Sequence, residues 1–316
     1  MEQLVTIFSA LSDPSRLRIL LLVRRLELSV GELAAVLGQS QPRVSRHLKI
    51  LADAGLVERA REGAWVFVRL GPAATSGPSL AAIDALGPPG LGAADQDRLA
   101  MVRAERAQAA DAWFAAHAAE WDRERALFSA EAEVEAAILA ALAGRPLGRL
   151  IDVGTGTGRM IELLGPQASA ALGIDRSPEM LRLARGRIEA AGLGQQARVQ
   201  SGDFLALPAA DASADTVVMH QVLHFADQPA AVIAEAARVL APGGRLLVVD
   251  LMPHDREELR ARRNPVRLGF ADAAVLGWMA AAGLEAAIAA RLPVRDGLGV
   301  TIWLGQRADI PLQKVA

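Results

Sequence analysis

Two hydrophobic periodicities divide the chain. Over residues 2–70, apolar positions recur at helical spacing in four short runs, Glu2 to Leu11, Pro14 to Leu26, Val30 to Leu37 and Gln41 to Ala54. Alternating segments follow at Leu56 to Arg59 and Ala64 to Leu70, around a Glu62-Gly63 turn. The punctuation agrees: Asp13 precedes Pro14 as an N-cap with a first-turn proline, Gly38 ends the third helix, and Ser40 and Pro42 open the fourth. From Asp95 to Ala143 the chain is Ala-rich and helical by period. After Gly148, short apolar runs near 149–153, 170–174, 197–200, 214–219, 244–250, 284–290 and 300–305 alternate with helical stretches. That alternation predicts a largely parallel sheet covered by helices on both faces, with ligands at the carboxyl ends of the strands.

The Gly/Pro clusters within residues 71–92, GPAATSGP and GPPGLG, predict a flexible joint between the two patterns. The expected organisation is a domain of short helices and a hairpin over 1–75, a linker over 76–94, a helical bridge or lid over 95–144, a sheet domain over 145–307 and a tail over 308–316. In the bridge, Trp113, Phe114, Trp121 and Phe128 either pack against the sheet domain or, with His117, close over a pocket.

A length of 316 residues with 52% hydrophobic positions accommodates two cores. Cysteine is absent, which excludes disulfides, thiolate metal sites and thiol nucleophiles and fits a reducing cytoplasm. No apolar run reaches the roughly 18 to 20 residues of a membrane span, so a soluble cytoplasmic protein without signal peptide or anchor is expected. Net charge is −2, but residues 1–75 hold ten Arg/Lys against seven Asp/Glu, so a basic head precedes an acidic body.

On the fourth helix, Val44, Leu48 and Leu51 form a core stripe, and the expectation is that Arg43, Arg46 and His47 turn outward together. A basic face on the second helix of a helix-turn-helix is a groove-reading surface. The segment LSDPSRLRILLLV and the following ELSVGELAAVLGQSQPRVSRHLKILADAGLVERAREGAWVFVRL resemble the ArsR/SmtB-type winged helix-turn-helix regulators across some 65 residues. The resemblance implies an α+β winged-helix domain acting as a homodimer on double-stranded DNA with an imperfect palindromic operator. It places Gln41, Ser45 and His47 at base edges, and Arg43, Arg46, Lys49, Arg59 and Arg61 at phosphates. The family's metal sensors carry a Cys-Val-Cys triplet where this chain has Ser29, Val30 and Gly31. A second family metal site would leave only Asp84 here, so no metal is expected.

LIDVGTGTGR, residues 150–159, runs an apolar strand into Gly154, Gly156 and Gly158, which allow a sharp turn and close ligand approach. Alone it leaves open a dinucleotide fold, whose fingerprint is GxGxxG, but position 159 is Arg and the spacing is GxGxG. With ALGIDRSPEML, SGDFLALP, ADTVVMHQVLHF and LAPGGRLLVVD in order, the stretch from 145 to 305 resembles the class I S-adenosylmethionine-dependent methyltransferases, an α/β three-layer Rossmann-like fold. The resemblance implies S-adenosylmethionine or S-adenosylhomocysteine as cofactor. The implied contacts are Asp152, Gly154, Thr155, Gly156 and Gly158 at the glycine turn, Asp175 and Arg176 at the ribose, and Met180, Gly202, Asp203 and Phe204 around adenine. His220 falls where the donor methyl would point, whereas His224 either joins the pocket or packs under a helix. The three acids Asp152, Asp175 and Asp203 could instead be caps, although all three land at cofactor positions.

The segment from Val248 to Leu284 resembles that of quinone-type and regulator-fused methyltransferases, which makes Asp250, His254 and Arg267 candidate acceptor contacts beside His220 and leaves Asp272 and Trp278 to cap and pack a helix. The fused architecture resembles S-adenosylhomocysteine-responsive regulators of the methionine cycle. Two functions are therefore expected as rivals: a repressor whose DNA affinity follows nucleoside binding, and a small-molecule methyltransferase that carries a DNA-binding head.

Overall fold

The computed structural model describes residues 2–62, 65–86, 91–117, 131–256, 267–292 and 298–309. The chain separates into two compact units, Met1–Gln108 and Ala109–Ala316.

The first unit begins with α1 (Glu2–Leu11), α2 (Pro14–Arg25), β1 (Leu28–Ser29), α3 (Val30–Leu37) and α4 (Gln41–Asp53). The wing strands β2 (Val57–Glu62) and β3 (Trp65–Leu70) follow, then α5 (Ala73–Ala85) and the start of α6 (Ala93–His117). The caps are those the sequence predicts. Asp13 accepts from the Ser15 and Arg16 N–H groups at 2.7 and 3.1 Å, and Gly38 closes α3 at φ 65°. Ser29, where metal sensors of the resembling family hold a thiolate, instead forms a capping box with Glu32 (2.7 and 3.2 Å). β3 pairs antiparallel with β1 and β2, and Ile19, Leu22, Leu33, Val44, Leu48, Leu51 and Val68 fill the core.

The joint expected over 71–92 is corrected by the structure, because residues 73–85 are helical despite Pro78. Pro78 lacks the N–H that a helix interior uses. Burial of Leu80 in the core holds the turn, while the Ser76 hydroxyl donates to Gly71 and Pro72 carbonyls and Ser79 to that of Thr75. α6 is tied to the same unit. Asp95 accepts both guanidinium contacts of Arg18 at 2.6 Å, and Arg98 donates to the Val36 carbonyl at 2.8 Å. The N-terminal unit therefore extends past residue 75 to Gln108.

The second unit contains α7 (Glu131–Leu142), β4 (Arg149–Val153), α8 (Arg159–Leu164), β5 (Ala170–Asp175), α9 (Pro178–Ala190), β6 (Ala197–Ser201) and β7 (Ala214–His220). After these come α10 (Pro229–Val239), β8 (Leu240–Leu251), α11 (Asp272–Ala281), β9 (Leu284–Leu292) and β10 (Val300–Arg307). The seven strands lie in the order β6-β5-β4-β7-β8-β10-β9, with β4 to β8 mutually parallel and β10 antiparallel to both neighbours. One sheet face buries Ile151, Val153, Val217, Met219, Val248 and Trp303 with α10 and α11, and the other buries Leu150, Val218, Leu247 and Ile302 with α7 and α8. Strand order reverses at β4, so the crevice of this topology opens at the carboxyl ends of β4 and its neighbours. Trp278 packs edge-on to Phe270 as expected, but the expected cap at Asp272 is corrected: the N-cap position of α11 is Ala271, and the Asp272 carboxylate on the first turn instead accepts from Arg291 and from Trp303 Nε1 (3.0 Å). Among the described residues no helix is long and apolar enough to cross a membrane.

Candidate functional site

The carboxyl ends of β4, β5 and β6 are joined into one hydrogen-bonded frame. β4 runs into Gly154, Gly156 and Gly158, all left-handed. At Gly154 (φ 69°) a Cβ would stand 2.2 Å from Val222 Cγ2, and at Gly158 (φ 86°) it would press on Ala184 at 3.1 Å, so both positions need glycine for conformation and for space. The Gly154 and Thr155 N–H groups donate to the Ile174 carbonyl at 2.8 and 2.9 Å. Beneath the turn, buried Asp152 accepts the Thr155 hydroxyl at 2.6 Å.

Asp175, at the end of β5, is the hub. Its Oδ2 accepts the Gly156 N–H at 2.8 Å, its Oδ1 accepts that of Ser177 at 2.9 Å, and its carbonyl accepts that of Gly202 at 3.1 Å. Burial pushes this carboxyl above the ordinary aspartate value, against the opposing pull of the Ser177, Gly156 and Arg176 N–H donors. A carboxylate offers about four acceptor sites, so one engaged by these N–H donors keeps capacity for a ligand hydroxyl. Arg176 beside it is exposed, and Met180, 1% exposed, sits on the first turn of α9, where Ser177 caps its N–H. Asp203 is exposed and accepts the Leu205 N–H at 2.8 Å, with Phe204 half-buried beside it. Glycine and carboxylate positions from three separate sequence motifs thus meet at one edge of the sheet.

β7 ends at half-buried His220, and the next residue, Gln221, takes a left-handed conformation (φ 52°) with its N–H on the Val249 carbonyl at 2.7 Å. A buried non-glycine residue in that region is uncommon and marks a constrained turn. Sequence reasoning missed it, because glutamine carries no signal for such backbone.

Asp250, expected at the acceptor, is fully buried and is taken up by His224. His224 Nδ1 lies 2.7 Å from Oδ1, the His224 N–H donates to Oδ2 at 3.2 Å, and the Leu251 N–H to Oδ1 at 2.7 Å. Arg267 is also buried, its N–H on the His224 carbonyl (3.1 Å) and its guanidinium on that of Asp227 (3.2 Å). His254 is half-buried, with its N–H on Leu268 and its Nδ1 accepting from Arg256 N at 3.3 Å.

In the N-terminal unit, Gln41, Arg43, Arg46 and Lys49 stand exposed along α4, and Ser45 is half-buried. Exposed Arg59 reaches from the wing to the Ser45 carbonyl at 3.1 Å. The outward placement of His47 is corrected: it is only 9% exposed. The reason is helical spacing, since His47 follows Val44 by three residues and precedes Leu51 by four, on the edge of the buried stripe. It lies 4.0 Å from Asp13, and burial pulls its pKa below the ordinary histidine value, with the attraction of Asp13 opposing. Burial alone would raise Asp13, but the Arg16 and Ser15 N–H groups, with His47 and Arg16, hold it below the usual carboxylate value. The side chains of Arg61, Trp113, Phe114 and His117, and residues Trp121 and Phe128, lie outside what the structure describes.

A bacterial regulatory protein model of the arsR family matches residues 13–59, and a methyltransferase domain model matches residues 151–248. The chain thus joins an arsR-type DNA-binding regulator domain to a Rossmann-like methyltransferase domain. It is 45% identical, over 22% of its own length and 59% of the relative's, to the arsenical resistance operon repressor of Escherichia coli. To the demethylmenaquinone methyltransferase of Thermus thermophilus it is 42% identical over 33% of its length and 48% of the relative's. The chain spans about half the length of the curated relatives it matches. Among solved structures, the YcgJ protein of Bacillus subtilis superposes with a TM-score of 0.50 at 19% identity, over 56% of this chain and 98% of that one. A geranyl diphosphate methyltransferase in complex with GPP and sinefungin gives 0.50 at 18% identity, over 56% and 78%. These two likenesses establish the fold.

Proposed function

We propose that this protein is a transcriptional regulator whose methyltransferase domain binds S-adenosylhomocysteine or S-adenosylmethionine and thereby alters DNA affinity. The observation that carries the reading is Asp175. Its carboxylate already organises the glycine turn and keeps acceptor capacity for ribose hydroxyls, on the same polypeptide as an exposed Arg43, Arg46 and Lys49 face. Asp152, Thr155, Gly202 and Asp203 complete the cradle, with Met180 and Phe204 toward the adenine and His220 toward the sulfur. No metal takes part in this reading. The regulator works in the cytoplasm as a homodimer on an imperfect palindrome. Leu4, Val5 and Phe8 leave an apolar face of α1 exposed within the N-terminal unit, as a second copy would require.

Ligand control requires different affinity for the nucleoside in the DNA-competent and DNA-free states, and a tenfold effect needs about 1.4 kcal/mol of coupling. Fluorescence anisotropy on the DNA upstream of its own reading frame, with and without each nucleoside, tests this. Equal DNA affinity in all three conditions, with calorimetry showing the nucleosides bound, removes the sensor reading.

The second reading, a working small-molecule methyltransferase, is supported by the 42% identity to the demethylmenaquinone enzyme over 108 residues. It is tested by transfer of labelled methyl to a metabolite extract.

A further inference from the structure

The buried His224–Asp250 pair is more than the turn after β7 needs, because the 3₁₀ turn Leu223–Phe225 is already anchored by backbone bonds from Phe225 and Ala226. Asp250 engages Nδ1 of the ring at 2.7 Å. In the neutral tautomer that donates from Nδ1, Nε2 keeps its lone pair, and the ring retains 3% side-chain exposure. The segment that carries His224 touches the cofactor turn, since Val222 packs against the place where a Gly154 side chain would be. A further polar group stands beside the pair: Thr301 faces Asp250 across the β8–β10 ladder, and its buried hydroxyl has no hydrogen-bond partner among the described residues.

The geometry points to His224 as the proton acceptor of the methyltransferase pocket, held in its working tautomer by Asp250 as a positioning residue, for a neutral acceptor that bears an acidic hydroxyl. This inference rests on the reading that the pocket takes S-adenosylmethionine. The acceptor oxygen forms its bond to the methyl carbon while the carbon–sulfur bond breaks and its electron pair stays on sulfur. The hydroxyl proton passes to His224 Nε2, and the imidazolium so formed is stabilised by the Asp250 carboxylate.

Two measurements on the full chain test this without an acceptor. In histidine ¹⁵N spectra, with His224 assigned from His224→Gln, the expected ring is protonated at Nδ1 and bare at Nε2, and Asp250→Asn is expected to shift that balance. Diethyl pyrocarbonate, followed by peptide mass mapping, is expected to label His224 in the free protein and to label it about tenfold more slowly at roughly ten times the Kd of S-adenosylhomocysteine. A ring protonated at Nε2, or a labelling rate indifferent to nucleoside that calorimetry shows to be bound, makes the pair a structural latch and overturns the inference. Calorimetry that finds no nucleoside binding defeats the pocket reading, and this inference with it.

Discussion

The carboxylate of Asp175 accepts the N–H of Gly156 at 2.8 Å, which makes the end of one strand and the glycine turn after another a single structural piece. Neither residue alone makes that joint. Joined, they set a charged acceptor against a backbone that can be approached closely.

That joint role predicts two separable effects. Asp175→Ala removes charge-assisted hydrogen bonds, each about 1.5–3 kcal/mol, so S-adenosylhomocysteine affinity should fall by at least about tenfold and the melting temperature should drop with it. Asp203→Asn, at an exposed position, should weaken binding and leave the melting temperature unchanged. Calorimetry and thermal melts on both variants check this pattern, and unaltered affinity in the doubly substituted protein would remove the cofactor assignment.

Gly154→Ala should destabilise the second unit by more than the ~1–2 kcal/mol of a left-handed alanine, because the new methyl also meets Val222. Val222→Ala in the same chain should relieve the overlap and leave the conformational part. Urea unfolding of the single and double variants reads the two contributions.

Arg43→Ala and Arg46→Ala should each weaken DNA binding across all sequences and lower the slope of log affinity against log salt by about 0.9 if each meets one phosphate. An unchanged slope at reduced affinity would reassign that arginine to a base edge. Anisotropy titrations over a salt series distinguish the two.

His47 carries a pH dependence with a definite sign. Burial lowers its pKa in the folded state below the ordinary 6.5, so the unfolded chain takes up the proton first. Stability of the N-terminal unit should therefore be full above that value and decline as pH falls from about 7 toward the lowered folded value. His47→Gln should flatten the slope in denaturant melts over that range. Asp13, held below its ordinary 3.8, contributes in a separate and more acidic window.

The strand and helix order was legible because each element carries its own period. Predicted strands at 149–153 and 170–174 are observed at Arg149–Val153 and Ala170–Asp175. The caps at Asp13 and Gly38 were legible for the same reason, since a cap satisfies groups within a few residues of itself. Pro78 was misleading: local propensity argues against a helix there, and the packing of Leu80 outweighs it.

The sequence by itself determined the strands of the sheet, the helices between them and the glycine turn after Val153, because periodicity, capping and turn chemistry act over short stretches of chain. Only the tertiary structure decided that Asp250 belongs to His224, that His47 faces inward, that Gln221 adopts a left-handed turn and that the first unit runs to Gln108. Those outcomes depend on contacts between residues distant in sequence or on the balance of burial against charge. No local pattern encodes either.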